Sequence, residues 1–363
     1  MKTAHALGLF ASVLALALTA SLTAWFHRDL VRHVGRRVEH LGDPALNAWI
    51  LRWNLHALAS PDVDVWDAPA FHPRPRTLTY SENLFAPALL ASPAALIDDN
   101  PHRLYNTAFL AGVVLSGLFM ARLCRRVTGS TAAALAGAIV FAFAPFKLAH
   151  TAHIQIQHAQ WIPLALLCLL AALRTGAPPR RRRACLAGFA LCPALLFCSN
   201  TYYCLYGLPI LLLAHGILWV GLPKAEKKTA VIEGAAAGAL AALLVLPFAW
   251  PYMRLRETAG MVRDIDDVIV LSADVLDYLR FHPASRWHFQ AGLPPVAYPA
   301  EKSLTPGPLT MLLALIPVAA ALRRPRRSLR ALGRWLRGRE PAPALLLWGA
   351  IAFAGFALSL GPA

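Results

Sequence analysis

Charge is what this sequence has least of. Asp, Glu, Lys and Arg make up 15% of its 363 residues and hydrophobic residues 57%, where soluble domains run near about 25% and about 45–50%. A water-solvated globule is thereby excluded, because too much apolar surface would face water. Acids are scarcer than bases, 19 Asp and Glu against 35 Lys and Arg, which leaves a net charge of +16. The six cysteines (Cys124, Cys168, Cys185, Cys192, Cys198 and Cys204) form no CxxC pair and no His/Cys ligand spacing. That argues against a zinc site or a disulfide framework. They read instead as small, polarizable packing residues. Walker A, GxSxG, HExxH and dinucleotide GxGxxG patterns are also absent, so the chemistries tied to those motifs have no foothold.

What the sequence has is long apolar runs. Spanning the hydrocarbon core takes about 20 mainly apolar residues. By that measure the chain reads as an all-α integral membrane protein with about nine transmembrane helices. They cover residues 6–26, 104–123, 131–146, 161–173, 184–197, 204–220, 230–250, 305–322 and 344–360. The first is longer than the apolar core of a signal peptide and is read as an uncleaved helix. Two long polar segments, 27–83 and 251–303, form outer loops carrying amphipathic interfacial helices. Residues 84–97, broken by Pro87 and Pro93, read as interfacial or re-entrant, a form tolerated where protein covers the backbone. The whole is one polytopic domain. Gly361-Pro362-Ala363 follow an apolar run directly, and we expect further protein beyond them.

The bases are distributed unevenly. Arg125 and Arg126, the run 180–183, Lys224, Lys227 and Lys228, and the run 323–339 each sit beside an apolar segment. With the N-terminus in the cytoplasm all of them fall on the cytoplasmic side and both long polar segments on the other, as the positive-inside rule requires. No nucleic-acid module accompanies the charge, so nucleic acid is not among the expected partners. Membrane lipid is.

Three stretches carry candidate chemistry. In the first outer segment, Asp43-Pro44 reads as a helix start with Asp43 as N-cap. The helix it opens puts Leu46, Trp49, Ile50, Trp53 and Ala57 on one face, suited to a membrane surface. Arg52 and His56 flank that face, while Asn47 and Asn54 lie on its other side. Asp43 is either a cap or a working carboxylate. Farther along, Asp67 and Tyr80-Ser81-Glu82-Asn83 lie in a Pro- and aromatic-rich loop that suits a carbohydrate site or a simple lid. Between the third and fourth spans, Lys147 precedes His150, His153, Gln157 and Gln160, which share a face if the stretch is helical. Polar groups beside hydrocarbon are expensive and often functional. The same residues also serve as an interfacial cap or as helix–helix hydrogen bonders. The second outer segment mixes Asp264, Asp266, Asp267, Asp274 and Asp277 with Arg280 and Arg286. It reads as a solvated loop or, through the two arginines, as a phosphate clamp.

This arrangement resembles the GT-C superfamily of membrane glycosyltransferases, specifically its bacterial, uncharacterised branch. The resemblance rests on Gly42-Asp43 with Trp49 and Trp53, Tyr80-Ser81-Glu82-Asn83, Asn106, and the stretch from Phe143-Ala144-Pro145-Phe146 to His153. Gln160-Trp161-Ile162-Pro163-Leu164, Ser272 to Leu279 and Glu301-Lys302-Ser303-Leu304 add to it. It implies a bacterial inner-membrane enzyme that takes a sugar from a polyprenyl-phosphate donor, with inversion, on the non-cytoplasmic face. Asp43 sits where that superfamily carries its essential acidic residue, as general base, with Glu82 as a second catalytic carboxylate. Arg52, His56, Lys147, His150, His153, Gln157, Arg280 and Arg286 become substrate-binding candidates, the cations serving the leaving phosphate. Many members pair two acids in this loop. Asp43 has no acidic neighbour, so a divalent metal is left unassigned. Two other readings stand beside the enzyme. One is a lipid or polysaccharide transporter or flippase, against which the near absence of charge inside the helices counts. The other is a non-catalytic assembly partner.

Overall fold

The computed structural model describes residues 2–260, 264–283, 285, 293–337 and 343–360. Among these, all regular structure is helical. In chain order the helices are α1 (Lys2–Phe26), α2 (Arg28–Arg32), α3 (Asp43–Ala59), α4 (Phe85–Ala95), α5 (Pro101–Thr128) and α6 (Thr131–Ala142). Then come α7 (Pro145–Ala149), α8 (Ile154–Gln157), α9 (Trp161–Ala172), α10 (Pro179–Phe197), α11 (Thr201–Val220) and α12 (Lys224–Ala259). Last are α13 (Ile265–Leu271), α14 (Pro308–Arg323), α15 (Pro325–Leu336) and α16 (Ala344–Ser359). Two 3₁₀ turns, Thr77–Tyr80 and Val275–Leu279, lie in the long polar segments.

The chain is a multi-pass membrane protein by length and composition of its helices. Six are long and apolar enough to cross a bilayer: Leu7–Phe26, Pro101–Thr128, Thr131–Ala149, Ile154–Ala172, Thr201–Val220 and Lys224–Glu257. A seventh is added if α14 and α15, bent by 93° at their junction, count together. Every segment read as a span is helical, but α16 is short and α10 begins with four arginines at 180–183. The count of clear candidates is therefore below the nine read from hydropathy.

Local signals place the ends. At the head of α5, Asn100 accepts from the amides of His102 (3.0 Å) and Arg103 (3.1 Å), Pro101 opens the first turn, and Gly129 stops the helix at φ 71°. Asn200 caps α11 by accepting from the Tyr203 amide at 2.9 Å. The α12 helix runs past Pro251 to Ala259, so the second long polar segment begins as helix. The α1, α5 and α6 helices pack through small residues, with Ala15, Ala121, Ala134 and Ala138 buried together. Close backbone approach of this kind replaces the hydrophobic effect as the source of helix association in lipid. At Gly117, an added Cβ would overlap Thr19 of α1.

The helix ends sort into two groups. At one end, the Cys198 carbonyl after α10 accepts from Ala86 of α4 (3.1 Å) and Tyr252 of α12 donates to the Ser81 carbonyl (2.9 Å). Ser359 of α16 accepts from the Ala273 amide there (2.9 Å). At the other end, Arg182 pairs with Glu233, and Arg126 lies within electrostatic reach of Arg174 and Arg181. The largest buried cluster belongs to the first end and draws in α3, α4 and α5 around Leu51, Leu84, Tyr105 and Phe109.

The α3 helix departs from the expected surface helix. Asn47 and Asn54, placed by periodicity on a polar flank, are buried, and Asn54 donates to the Asn83 carbonyl at 2.6 Å. Leu46, placed on the apolar face, is exposed. The reason is that α3 packs against α4 and α5, so its buried side is chosen by protein contacts and not by the lipid–water boundary.

Candidate functional site

The stretch joining α6 to α9 sits at the centre of the first end. It is not the single helix on which the shared-face expectation depended: α7 and α8 are separate short helices with a turn between them. A broken backbone beside hydrocarbon needs internal partners, and its own side chains supply them. Gln157 donates to the carbonyls of Lys147 (3.0 Å) and His150 (3.2 Å), and Lys147 Nζ donates to the Gln157 carbonyl (3.2 Å). Ser116 of α5 donates to that carbonyl as well (3.1 Å), and His150 Nδ1 lies 2.8 Å from the Phe146 carbonyl.

Around this stretch stand four carboxylates. Asp43 Oδ2 lies 3.2 Å from His153 Nε2. Glu301, from the second long polar segment, brings Oε2 to 3.3 Å from the buried His150 Nε2. Glu39 takes the Thr151 side chain and has His27 Nδ1 at 3.1 Å. Glu82 takes the Gln155 side chain and accepts from the Thr201 amide at 2.8 Å, at the head of α11. The two imidazoles are neighbours, tilted by 50° with their centroids 5.5 Å apart. Two carboxylate–imidazole pairs, one from each long polar segment, thus meet over one connection.

The scaffolding is specific. Asn106 of α5 donates to the carbonyls of Val34 (2.8 Å) and Arg37 (2.7 Å), fixing the strand of chain that leads to Glu39 and Asp43. Gly42 is the N-cap of α3 at φ 144°, a conformation open to glycine and costly for other residues. Asp43 is therefore the first helical residue and not the cap, and no side chain caps α3. Leu84, just after Glu82, is left-handed at φ 54°, which costs a non-glycine residue about 1–2 kcal/mol.

The environments separate the acids. The His150 side chain beside Glu301 holds its carboxyl below the usual range. Burial works against ionised Glu39, and its contacts with His27 and Thr151 outweigh that to lower its pKa. Burial pushes Glu82 up to about 7 from an ordinary value near 4.5. The folded state therefore favours the protonated acid. Below the unfolded value both states are protonated and Glu82 has no effect. As pH rises through 7 the fold carries the desolvation penalty, at most about 3 kcal/mol. Glu82→Gln should raise the melting temperature at pH 8 and leave it unchanged at pH 4. Parallel melting–pH curves for wild type and variant would remove this account of Glu82.

The remaining candidates are not gathered here. Arg52 donates to Asp99 at 2.6 Å, and His56 is exposed with its ring 5.8 Å from that of Trp53. They lie on α3 nine and thirteen positions beyond Asp43, about 14 and 20 Å along the axis. Lys147 is buried, with its Nζ spent on the Gln157 carbonyl. Arg280 is buried against Asp277, Nε to Oδ1 3.3 Å, because an acid three residues earlier is within its reach. Arg286 lies outside the described residues. Asp67 accepts from the Arg76 amide at 2.7 Å. Glu39 is hidden in the sequence, because it lies among Arg36, Arg37 and His40 and looks like part of a solvated basic run. Glu301 stands out there only as part of a resemblance. Among the described residues no group of three His, Cys, Asp or Glu side chains is placed to hold a metal ion. The chain matches no model of a known protein family, no curated protein and no solved structure.

Proposed function

We propose that the protein is a membrane glycosyltransferase of GT-C type, which transfers a sugar from a polyprenyl-phosphate donor on the non-cytoplasmic face of a bacterial inner membrane. The observation that carries this reading is the Asp43–His153 pair, at 3.2 Å, at the head of α3 and beside the His150–Glu301 pair. The attacking acceptor hydroxyl must lose a proton as it bonds to the anomeric carbon, and a carboxylate within hydrogen-bond reach takes it. Asp43 is the general base. Its side chain is half exposed, so an acceptor reaches it, and His153 orients it. Glu82, whose carboxyl burial raises to about 7, is the second catalytic carboxylate and stands next in line as base.

The leaving phosphate is the part the described cations serve least. Arg52, Lys147 and Arg280 are each engaged elsewhere. In this reading the imidazoles of His150 and His153 take that role. The same engagement of the cations favours the non-catalytic assembly reading, so the assay decides between them. The N-terminus and the basic helix ends face the cytoplasm in this orientation. Right-side-out vesicles carrying the protein are supplied with a panel of polyprenyl-phosphate sugars and membrane extract as acceptor. Sugar should reach the acceptor on the outer face. Transfer seen only in inverted vesicles overturns the orientation, and none with any donor overturns the enzyme.

A further inference from the structure

At the end of the bundle opposite the carboxylate–imidazole cluster, α14 breaks into α15 at 93°. Trp335 of α15 is buried and donates Nε1 to the Ile217 carbonyl near the foot of α11 (3.0 Å). That bond holds α15 across the helix ends. The bend leaves a cleft of 1290 Å³ between α14, α15 and α16, larger than the about 300–1,000 Å³ of small-molecule pockets. Ile316, Leu332, Leu346 and Phe353 give it apolar walls. Ile316 and Phe353 are strongly exposed, so the cleft opens sideways, where lipid would be.

Its mouth is basic. Arg323, Arg324 and Arg327 line the cleft and also a second recess of 660 Å³, whose lining adds Arg326, Arg330 and Arg334. Among the described residues no acid lines either space. An apolar cleft whose lining also includes three arginines matches a ligand with a long apolar tail and an anionic head. Guanidinium pairs bidentately with phosphate, and basic residues at a membrane surface attract anionic lipid.

We propose that the cleft between α14, α15 and α16 is a binding site for an anionic phospholipid, with its chains along Ile316, Leu332, Leu346 and Phe353 and its phosphate held by Arg323, Arg324 and Arg327. The site is independent of the glycosyltransferase reading. Its occupant is a structural lipid that fastens α15 to the bilayer surface.

The test is a thermal melt of the full chain in detergent with added dioctanoyl phosphatidylglycerol, dioctanoyl phosphatidylcholine or inorganic phosphate. Phosphatidylglycerol should raise the melting temperature in a saturable way, and the other two should not match it. The triple variant Arg323→Gln, Arg324→Gln, Arg327→Gln should weaken the phosphatidylglycerol midpoint by about tenfold or more. A Cβ at Gly349, another lining residue, meets no atom within 4 Å, so Gly349→Phe enters the cleft from a position open at its first carbon. It should abolish the lipid effect while all three arginines remain. Equal protection by phosphatidylcholine, equal protection by phosphate alone, or full protection of Gly349→Phe each overturns the site. Should the arginine variant fail to fold, the ligand comparison and Gly349→Phe still decide.

Discussion

Asp43→Asn should lower glycosyl transfer by about 10²–10⁴ while expression, membrane insertion and melting temperature stay near wild type. The contrast is sharp because Asp43 caps nothing. Gly42 holds the N-cap position of α3, and the Asp43 side chain makes no capping bond. What Asp43 contributes to the helix is charge in the first turn, about 0.3–1 kcal/mol. Asn keeps its size and can still accept from His153. Asn cannot take a proton from an acceptor hydroxyl, so rate and stability part company in this variant. The measurement is transfer with whichever donor the wild type accepts, alongside a melt of the same preparation. Near-native transfer by Asp43→Asn would end the general-base assignment and pass that role to Glu82. Asp67, already bound to the Arg76 amide, is the weaker substitute.

Asp277→Ala should be the most damaging single change to the fold of the second long polar segment. The Asp277 carboxylate is buried with the Arg280 guanidinium at 3.3 Å and Lys302 Nζ at 3.6 Å, and it accepts from the Asp274 amide at 2.9 Å. Its backbone carbonyl also accepts from Leu304 (3.1 Å). Removing the acid leaves two cations facing each other without compensation, and breaking a buried pair in this way costs about 3–5 kcal/mol. The Leu304 bond and the Lys302 contact lead straight to Glu301, so His150 should lose its carboxylate partner as well. A lowered melting temperature and new protease cleavage between 264 and 305 are the expected signs. An unchanged melt and an intact segment would mean that Asp277 is solvated and the pair is ornamental. Glu301→Gln is the companion variant: it keeps the Asp277 cluster and should not open the segment.

Helix positions were legible because an apolar run near the thickness of the hydrocarbon core has few alternatives. The ends were less so. The α5 helix starts at Pro101 and runs to Thr128, beyond the apolar stretch 104–123, because polar residues continue a helix freely into the interface. Hydropathy also says nothing about a third environment, protein against protein, and that is why the burial of Asn47 and Asn54 was missed. For the candidate site, the unusual density of imidazole and amide at 150–157 marks the connection over which Asp43 and Glu301 meet His153 and His150. Within it Gln157 and Lys147 bond to backbone carbonyls of the broken connection, which no sequence pattern announces. Pairings such as Arg52 with Asp99 and His150 with Glu301 join residues far apart in the chain. No local pattern carries them, whereas Arg280 with Asp277 is a three-residue spacing that composition alone could have raised.

The α14 and α16 helices have 16 residues each and α5 has 28. At about 1.5 Å per residue they reach about 24 Å and about 42 Å. A hydrocarbon core is about 30 Å thick. The apolar part of α5, residues 104–123, matches that thickness at about 30 Å, whereas α14 and α16 fall short of it, so the protein presents one short flank to the bilayer. Lipid along the short flank must thin by about 6 Å, or the helix ends must draw polar headgroups inward, at a fraction of a kcal/mol per Å. Hydrophobic mismatch of this kind gives the molecule a preferred membrane thickness, and a thin bilayer should suit it better than a thick, sterol-like one.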